Sequence, residues 1–172
     1  MRRFWDTARI EPASDGFCVL LDGKPMRLPG GAPLRVDRPA LAEALAAEWQ
    51  QAGGEKGGEM GFDDLPLTRL AGTAQARIAA DPACAIDALA RYGESDLLCY
   101  RAEGPVALVE RQDHAWQPWL DWARMRLGAA LRVATGIVYA PQDQKALAAL
   151  RRALAGHDPL ALAALGVTAP HL

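Results

Sequence analysis

Glu94 and Asp96 stand two residues apart immediately after Gly93, in the run Tyr92-Gly93-Glu94-Ser95-Asp96. Paired carboxylates at that spacing suit general acid/base work, or the capture of an arginine from a partner. Cys99 follows with a thiol, and His114 is the base that a cysteine nucleophile would require. An enzyme reading therefore places a cleft around Glu94, Asp96 and Cys99. The plainer reading makes the same stretch a turn in which Ser95 and Asp96 satisfy backbone donors, with Cys99 packed as a buried thiol. Arg69, Arg77, Arg91 and Arg101 are available as counter-ions, and any exposed pair among them contributes only about 0–1 kcal/mol.

Other chemical signatures are weaker. The glycines at 53, 54, 57, 58 and 61 invite a phosphate-loop reading, but G-x-x-x-x-G-K-[ST] is absent and these glycines follow a helical pattern rather than joining a strand to a helix. Ser14 and Ser95 are the chain's serines, and neither lies in G-x-S-x-G. His114, His157 and His171 lack ligand spacing with any cysteine, so no metal site is expected; Asp158 beside His157 reads as a helix cap. No cofactor is implied.

The net charge of −2 comes from 19 basic and 21 acidic residues spread along the chain, which leaves no electrostatic footprint for nucleic acid or an anionic membrane. With 172 residues the chain can bury roughly 70% of its unfolded surface without a disulfide or metal staple. Cys18, Cys84 and Cys99 are widely spaced and odd in number, the pattern of reduced, buried thiols in a reducing compartment. Arg2 and Arg3 meet Asp6 before any apolar run of signal-peptide length, so a cytoplasmic protein without a leader or membrane insertion is expected.

The elements that must position these residues fall into two kinds. Over residues 1–36 the runs Phe17–Leu21 and Lys24–Leu28 flank Asp22-Gly23, the strongest short hairpin signal, because a type I′ turn needs positive φ at both central residues. Pro25 donates no hydrogen bond and places its strand at a sheet edge. A helix is expected from Asp37-Arg38-Pro39, capped by Asp37 and carrying Leu41, Leu45 and Trp49 on one face. The glycine-rich residues 53–61 read as a mobile connector, closing a 37–61 segment. Residues 62–172 then read as mainly helical. Asp64 and Asp81 open two helices, and a third runs from Gly104-Pro105 to Gly128 with a break near His114 to Gln117 forced by Pro118. Leu131 to Tyr139 alternates like a strand, Leu147, Leu150 and Leu154 return to helical spacing, and Asp158-Pro159 starts a last helix whose apolar continuation runs over Leu165–Leu172. The fold class expected is α+β.

Trp116, Trp119 and Trp122 advance by three residues each and sweep about 120° of a helix, a stripe expected to put at least two of them in the core. An exposed one would be an interface anchor, the role for which Trp is favoured. Trp5 and Phe4 lie near an unanchored terminus and are expected to be exposed.

Taken in order, R-F-W-D, V-L-L-D-G-K-P, L-A-E-A-L-A-A-E-W, L-P-L-T-R-L-A, R-Y-G-E-S-D-L-L-C-Y-R-A-E and W-x-P-W-L-D-W-A resemble the ATP12 family of F1-ATPase assembly chaperones, of the bacterial type, over roughly Arg3 to Leu165. The resemblance implies a small N-terminal antiparallel β domain followed by a mainly helical domain. It implies a non-catalytic chaperone that holds the α subunit of the F1 sector and masks its assembly surface until β subunits join. Trp5, Arg69, Glu94, Asp96 and Trp119 are the positions singled out for partner contact, in a protein monomeric when free. Gly72 stands where the family usually has asparagine, and the family continues for several further helices past Leu165, so the 62–172 segment reads as shortened. A permanent structural subunit of a complex is the third class; it would expose one large apolar patch and be poorly soluble alone.

Overall fold

A computed structural model describes residues 1–169; the end of the apolar run read at Leu165–Leu172, including His171, lies outside them. The chain divides into two compact units, Met1–Asp81 and a second beginning at Pro82. The first carries an antiparallel sheet, and the second is mostly helical, which is the α+β arrangement expected.

In the first unit, β1 (Ala8–Ala13) pairs along its length with β2 (Gly16–Leu21), in register from Ala8↔Leu21 to Ala13↔Gly16. On the other side of β2 lie β3 (Lys24–Pro25) and β4 (Arg35–Val36), paired at opposite ends of the strand. Cys18, Val19, Leu20 and Leu21 are buried without alternation, as a central strand covered on both faces requires. The hairpin turn forms where expected: Asp22 has φ 47° and Gly23 φ 79°, and Leu21 pairs with Lys24. Pro25 lies on the outer strand β3, where its missing donor costs nothing. The Asp22 carboxylate accepts from the backbone N–H groups of Thr7 (2.9 Å) and Asp6 (3.0 Å), tying the turn to the strand ahead of β1; the Thr7 bond is the main cause of its lowered pKa. Gly16 is required by a close approach, since a Cβ there would meet the Val36 carbonyl oxygen at 2.4 Å.

Helix α1 (Pro39–Gln51) buries Ala42, Leu45, Ala46 and Trp49 against this sheet. Its N-cap is Arg38, without a side-chain cap bond, so the capping role expected of Asp37 is corrected; Pro39 at the first turn, which needs no donor, supplies the start. The glycine-rich segment differs from the loose connector expected. Arg3 N–H donates to Gly58 O (3.0 Å), Gly57 N–H to Arg3 O (2.8 Å) and Met60 N–H to Met1 O (2.8 Å), so residues 57–60 run beside the N-terminal residues like an added strand. The buried Arg3 guanidinium closes the arrangement on the end of α1, donating to Gln50 O (2.7 Å), Gly54 O, Trp5 O and Asp6 O. A cation at a helix C-terminus meets both the unpaired carbonyls and the negative end of the macrodipole.

Helix α2 (Pro66–Thr73) follows a short 3₁₀ turn at Phe62–Asp64 and continues as a π turn over Ala74–Ile78. Asp64 does not cap it, which corrects the expectation from the sequence; its carboxylate accepts from Gly61 N–H instead. The cap of α2 comes from another element: Glu48 on α1 accepts from Leu67 N–H (2.6 Å), Thr68 N–H (2.9 Å) and Thr68 Oγ1 (2.6 Å). A carboxylate there satisfies orphan donors and meets the positive end of the helix.

In the second unit, α3 (Pro82–Ala90) packs on α5 (Gln144–Ala155) and α6 (Pro159–Thr168). Asp143 and Asp158 cap the latter two by accepting from Lys145 N–H and Ala161 N–H, each at 2.7 Å. Two 3₁₀ turns, Arg91–Glu94 and Leu97–Cys99, lead into β5 (Tyr100–Arg101), which pairs in parallel with β6 (Ala134–Thr135). The strand expected across Leu131 to Tyr139 is thus only two residues long. Helix α4 (Val106–Trp122) runs through Pro118 without the break expected near His114 to Gln117, and a π turn, Ala123–Leu127, follows it.

Candidate partner-binding site

Of the residues singled out from the sequence, Trp5 and Arg69 belong to the first unit, and Glu94, Asp96 and Trp119 to the second. Trp5 is 1% exposed, which corrects the expectation that it stands free near the terminus. Its ring lies 4.9 Å from that of Trp49, and its indole N–H donates to Trp49 O at 3.1 Å. Trp49 in turn donates to Thr68 Oγ1 (2.8 Å), the hydroxyl that Glu48 also holds. A chain of bonds therefore runs from the N-terminal segment through α1 into the first turn of α2. Phe4 is exposed, as expected.

That chain fixes the face of α2 on which Arg69 sits. Arg69, Gly72, Thr73, Ala76 and Arg77 recur at three- and one-residue steps and line one side of an open groove of about 500 Å³. Met26 and Leu28 from the sheet side, Trp49 and Leu65 supply its apolar floor, and the exposed Phe62 its rim. Gly72 is close-packed on that floor, where a Cβ would lie 2.9 Å from Leu28 Cδ2. Arg69 meets Asp63 at 3.1 Å in an exposed ion pair, worth little to stability.

In the second unit Asp96 is a cap: its carboxylate accepts from Leu98 N–H at 2.8 Å and opens the 3₁₀ turn that ends at Cys99. Glu94 is exposed. Cys99 is buried, and that burial pushes its thiol up to about 11, with the Asp96 charge adding to the rise and Arg101 opposing it. A thiol raised in this way carries almost no thiolate at neutral pH, the reverse of what a nucleophile needs. Cys18 is buried as expected, whereas Cys84 is exposed and departs from the buried-thiol expectation.

Helix α4 has two unlike faces. Its inner face fastens β5. The buried Arg101 donates from Nε to Asp113 (2.6 Å) and from Nη1 to Leu98 O (2.6 Å), and its guanidinium lies 5.4 Å from the centre of the Trp116 ring. Gln112 accepts from Ala102 N–H at 2.8 Å, and Leu120 and Ala123 continue this side into the core. The outer face carries Trp119, 62% exposed, and Trp122, 49% exposed, followed by Met125 at 72%. This corrects the expectation that at least two of the three tryptophans are buried: Trp116 alone is turned inward, as a ring half-covered under a guanidinium. Sequence reasoning missed Trp122 and Met125 as surface residues, and missed Arg27, Phe62 and Arg77 around the groove. The three- and four-residue recurrence from Leu65 to Arg77 was the available signal for Arg77; nothing in the local pattern marked Arg27 or Phe62.

Among the described residues no group of three or more His, Cys, Asp or Glu is arranged to hold a metal ion, and no helix is long and apolar enough to cross a membrane. The family profile described as ATP12 chaperone protein matches residues 2–124. Among solved structures, Atp12 from Paracoccus denitrificans is 38% identical, with a TM-score of 0.84 over 97% of this chain and 75% of its own. A point mutant of that protein superposes equally well, with a TM-score of 0.85. A candidate chaperone from Agrobacterium tumefaciens is 37% identical, with a TM-score of 0.85 over 97% of this chain and 62% of its own.

Proposed function

This chain belongs to the ATP12 family of chaperone proteins, and from that premise we propose that it is an ATP-independent assembly chaperone of the bacterial cytoplasm that acts on the F1 sector of ATP synthase. Its client is the α subunit, whose assembly surface it covers until β subunits arrive. Release needs no hydrolysis, because a native partner that binds the same surface more tightly displaces the chaperone by mass action. It performs no catalysis.

The observation that carries this reading is the exposed side of α4 and the π turn after it, where Trp119 and Trp122, then Met125, stand exposed while Asp113 and Trp116 of the same helix hold Arg101. Large apolar side chains held rigidly at a surface favour contact with another protein, since little side-chain entropy is lost on binding and each aromatic removes a large area from water. Glu94, exposed beyond Gly93, supplies a charge suited to the polar rim of such contacts in the second unit, and Arg69 one suited to a contact made by the first; Asp96 acts by shaping the turn, and Trp5 by holding the first unit together. The depressed thiolate content of Cys99 weighs against the alternative of an enzyme with its cleft around Glu94, Asp96 and Cys99.

The test is aggregation of the F1 α subunit, followed by light scattering during dilution from denaturant, with this chain at equimolar ratio. Suppression that is reversed by adding β subunits is expected. An unchanged aggregation curve would overturn the assignment of this client.

A further inference from the structure

The groove of the first unit has chemistry of its own. Its floor is apolar, and the charged side chains that line it, Arg27, Arg69 and Arg77, are all cationic in a chain whose net charge is −2. Each of these cations is accessible. Arg77 makes no side-chain bond or ion pair among the described residues; Arg27 donates to Gly31 O (2.6 Å); Arg69 is held by the exposed Asp63. An exposed ion pair is weak enough to exchange one carboxylate for another.

The spacing of the cations is informative. An α-helical turn takes 3.6 residues and a π turn about one more, so the π turn over Ala74–Ile78 lets the eight-residue step from Arg69 to Arg77 close about two turns. Both arginines therefore leave the helix on the groove side, about two turns apart along it. A polypeptide with acidic side chains two turns apart, beside an apolar stripe, can pair with both.

We propose that this groove docks an acidic amphipathic segment of a partner protein, its apolar side chains resting on the exposed Met1, Pro29 and Phe62 above the apolar floor and its carboxylates paired with Arg69 and Arg77. This is the helix-in-groove mode of recognition, in which apolar anchors supply most of the affinity and flanking charges set orientation and choice of partner. The assignment goes beyond the chaperone reading, because it names the chemistry of a bound segment without depending on which client the outer face of α4 meets.

A displayed library of amphipathic segments of about sixteen residues tests it on the full chain. The apolar stripe is fixed and the flanking positions vary among Glu, Lys, Gln and Ser. Selection on the native protein is expected to enrich Glu at positions two turns apart. A synthetic peptide carrying the selected sequence should bind about tenfold or more weakly to the Arg69→Glu, Arg77→Glu double variant, whose melting temperature should be unchanged because both side chains are exposed. The same peptide with Lys in place of those Glu residues should recover binding to the double variant and lose it to the native chain. No Glu enrichment, or enrichment that survives the double variant, overturns the proposal. It is equally overturned if dodecanoate occupies the groove while no selected peptide competes, or if the Arg residues prove to be needed only for self-association in sedimentation velocity.

Discussion

Trp5 and Trp49 in the first unit, and Trp119 and Trp122 in the second, are the same side chain put to opposite uses. Trp5 and Trp49 come from different elements and complete each other: each indole N–H finds an acceptor, and the rings meet at 4.9 Å. Trp119 and Trp122 come from one helix that turns Leu120 into the core and Trp116 under Arg101, and they stand beside that stripe, exposed. An aromatic is buried when a second element offers both area and a hydrogen-bond partner, and tryptophan content alone does not locate a core.

The contrast is broken most severely at Trp5. Trp5→Ala removes a buried indole and leaves Trp49 O without its partner, and about 3–5 kcal/mol of stability should be lost, seen as an earlier urea or thermal transition. A change below about 1 kcal/mol would mean that the N-terminal segment is not part of the fold it caps. The paired variant Trp119→Ser, Trp122→Ser should do the reverse. Its unfolding free energy should stay within about 0.5 kcal/mol of the parent, while client affinity falls by about 2 kcal/mol or more, near thirtyfold. Stability loss without affinity loss would assign the pair to packing.

Glu48→Ala sharpens the comparison at smaller scale. It strips the carboxylate from the first turn of α2 and should cost about 1 kcal/mol in stability, with a loss of amide-exchange protection at Leu67 and Thr68. Cys99 provides the mildest probe. With its thiol at about 11, alkylation by iodoacetamide between pH 7 and pH 9 should label the exposed Cys84 first and leave Cys99 nearly untouched. Fast labelling of Cys99 at pH 7 would revive the enzyme reading.

Much of the local structure was legible in the residues themselves. Asp22-Gly23 specified its turn because few residue pairs accept positive φ twice, and Asp158 read as a cap because a short carboxylate reaches the backbone N–H groups two or three residues on. Where a residue's partner lay far along the chain, the sequence misled. Asp64 looked like the cap of α2, but Glu48 is that cap. Residues 53–61 looked loose because glycine is flexible in isolation, and are held by backbone bonds to Met1 and Arg3. β1 went unread because Glu11 and Pro12 hide its alternation, although pairing with β2 holds it along its whole length.

For the candidate site the division is the same. The sequence carried the family, through an ordered set of motifs, and it marked Arg69 and Trp119, both of which lie at accessible positions. It could not say that Trp5 is buried, that Trp122 and Met125 extend the exposed face, or that Arg27 reaches the groove where Arg69 and Arg77 sit. The Asp22-Gly23 turn and the Asp158 cap are decided by torsion angles and by a donor three residues away, so sequence alone determines them. Which face of a helix is covered depends on what another element brings to it, and only the tertiary structure decides that.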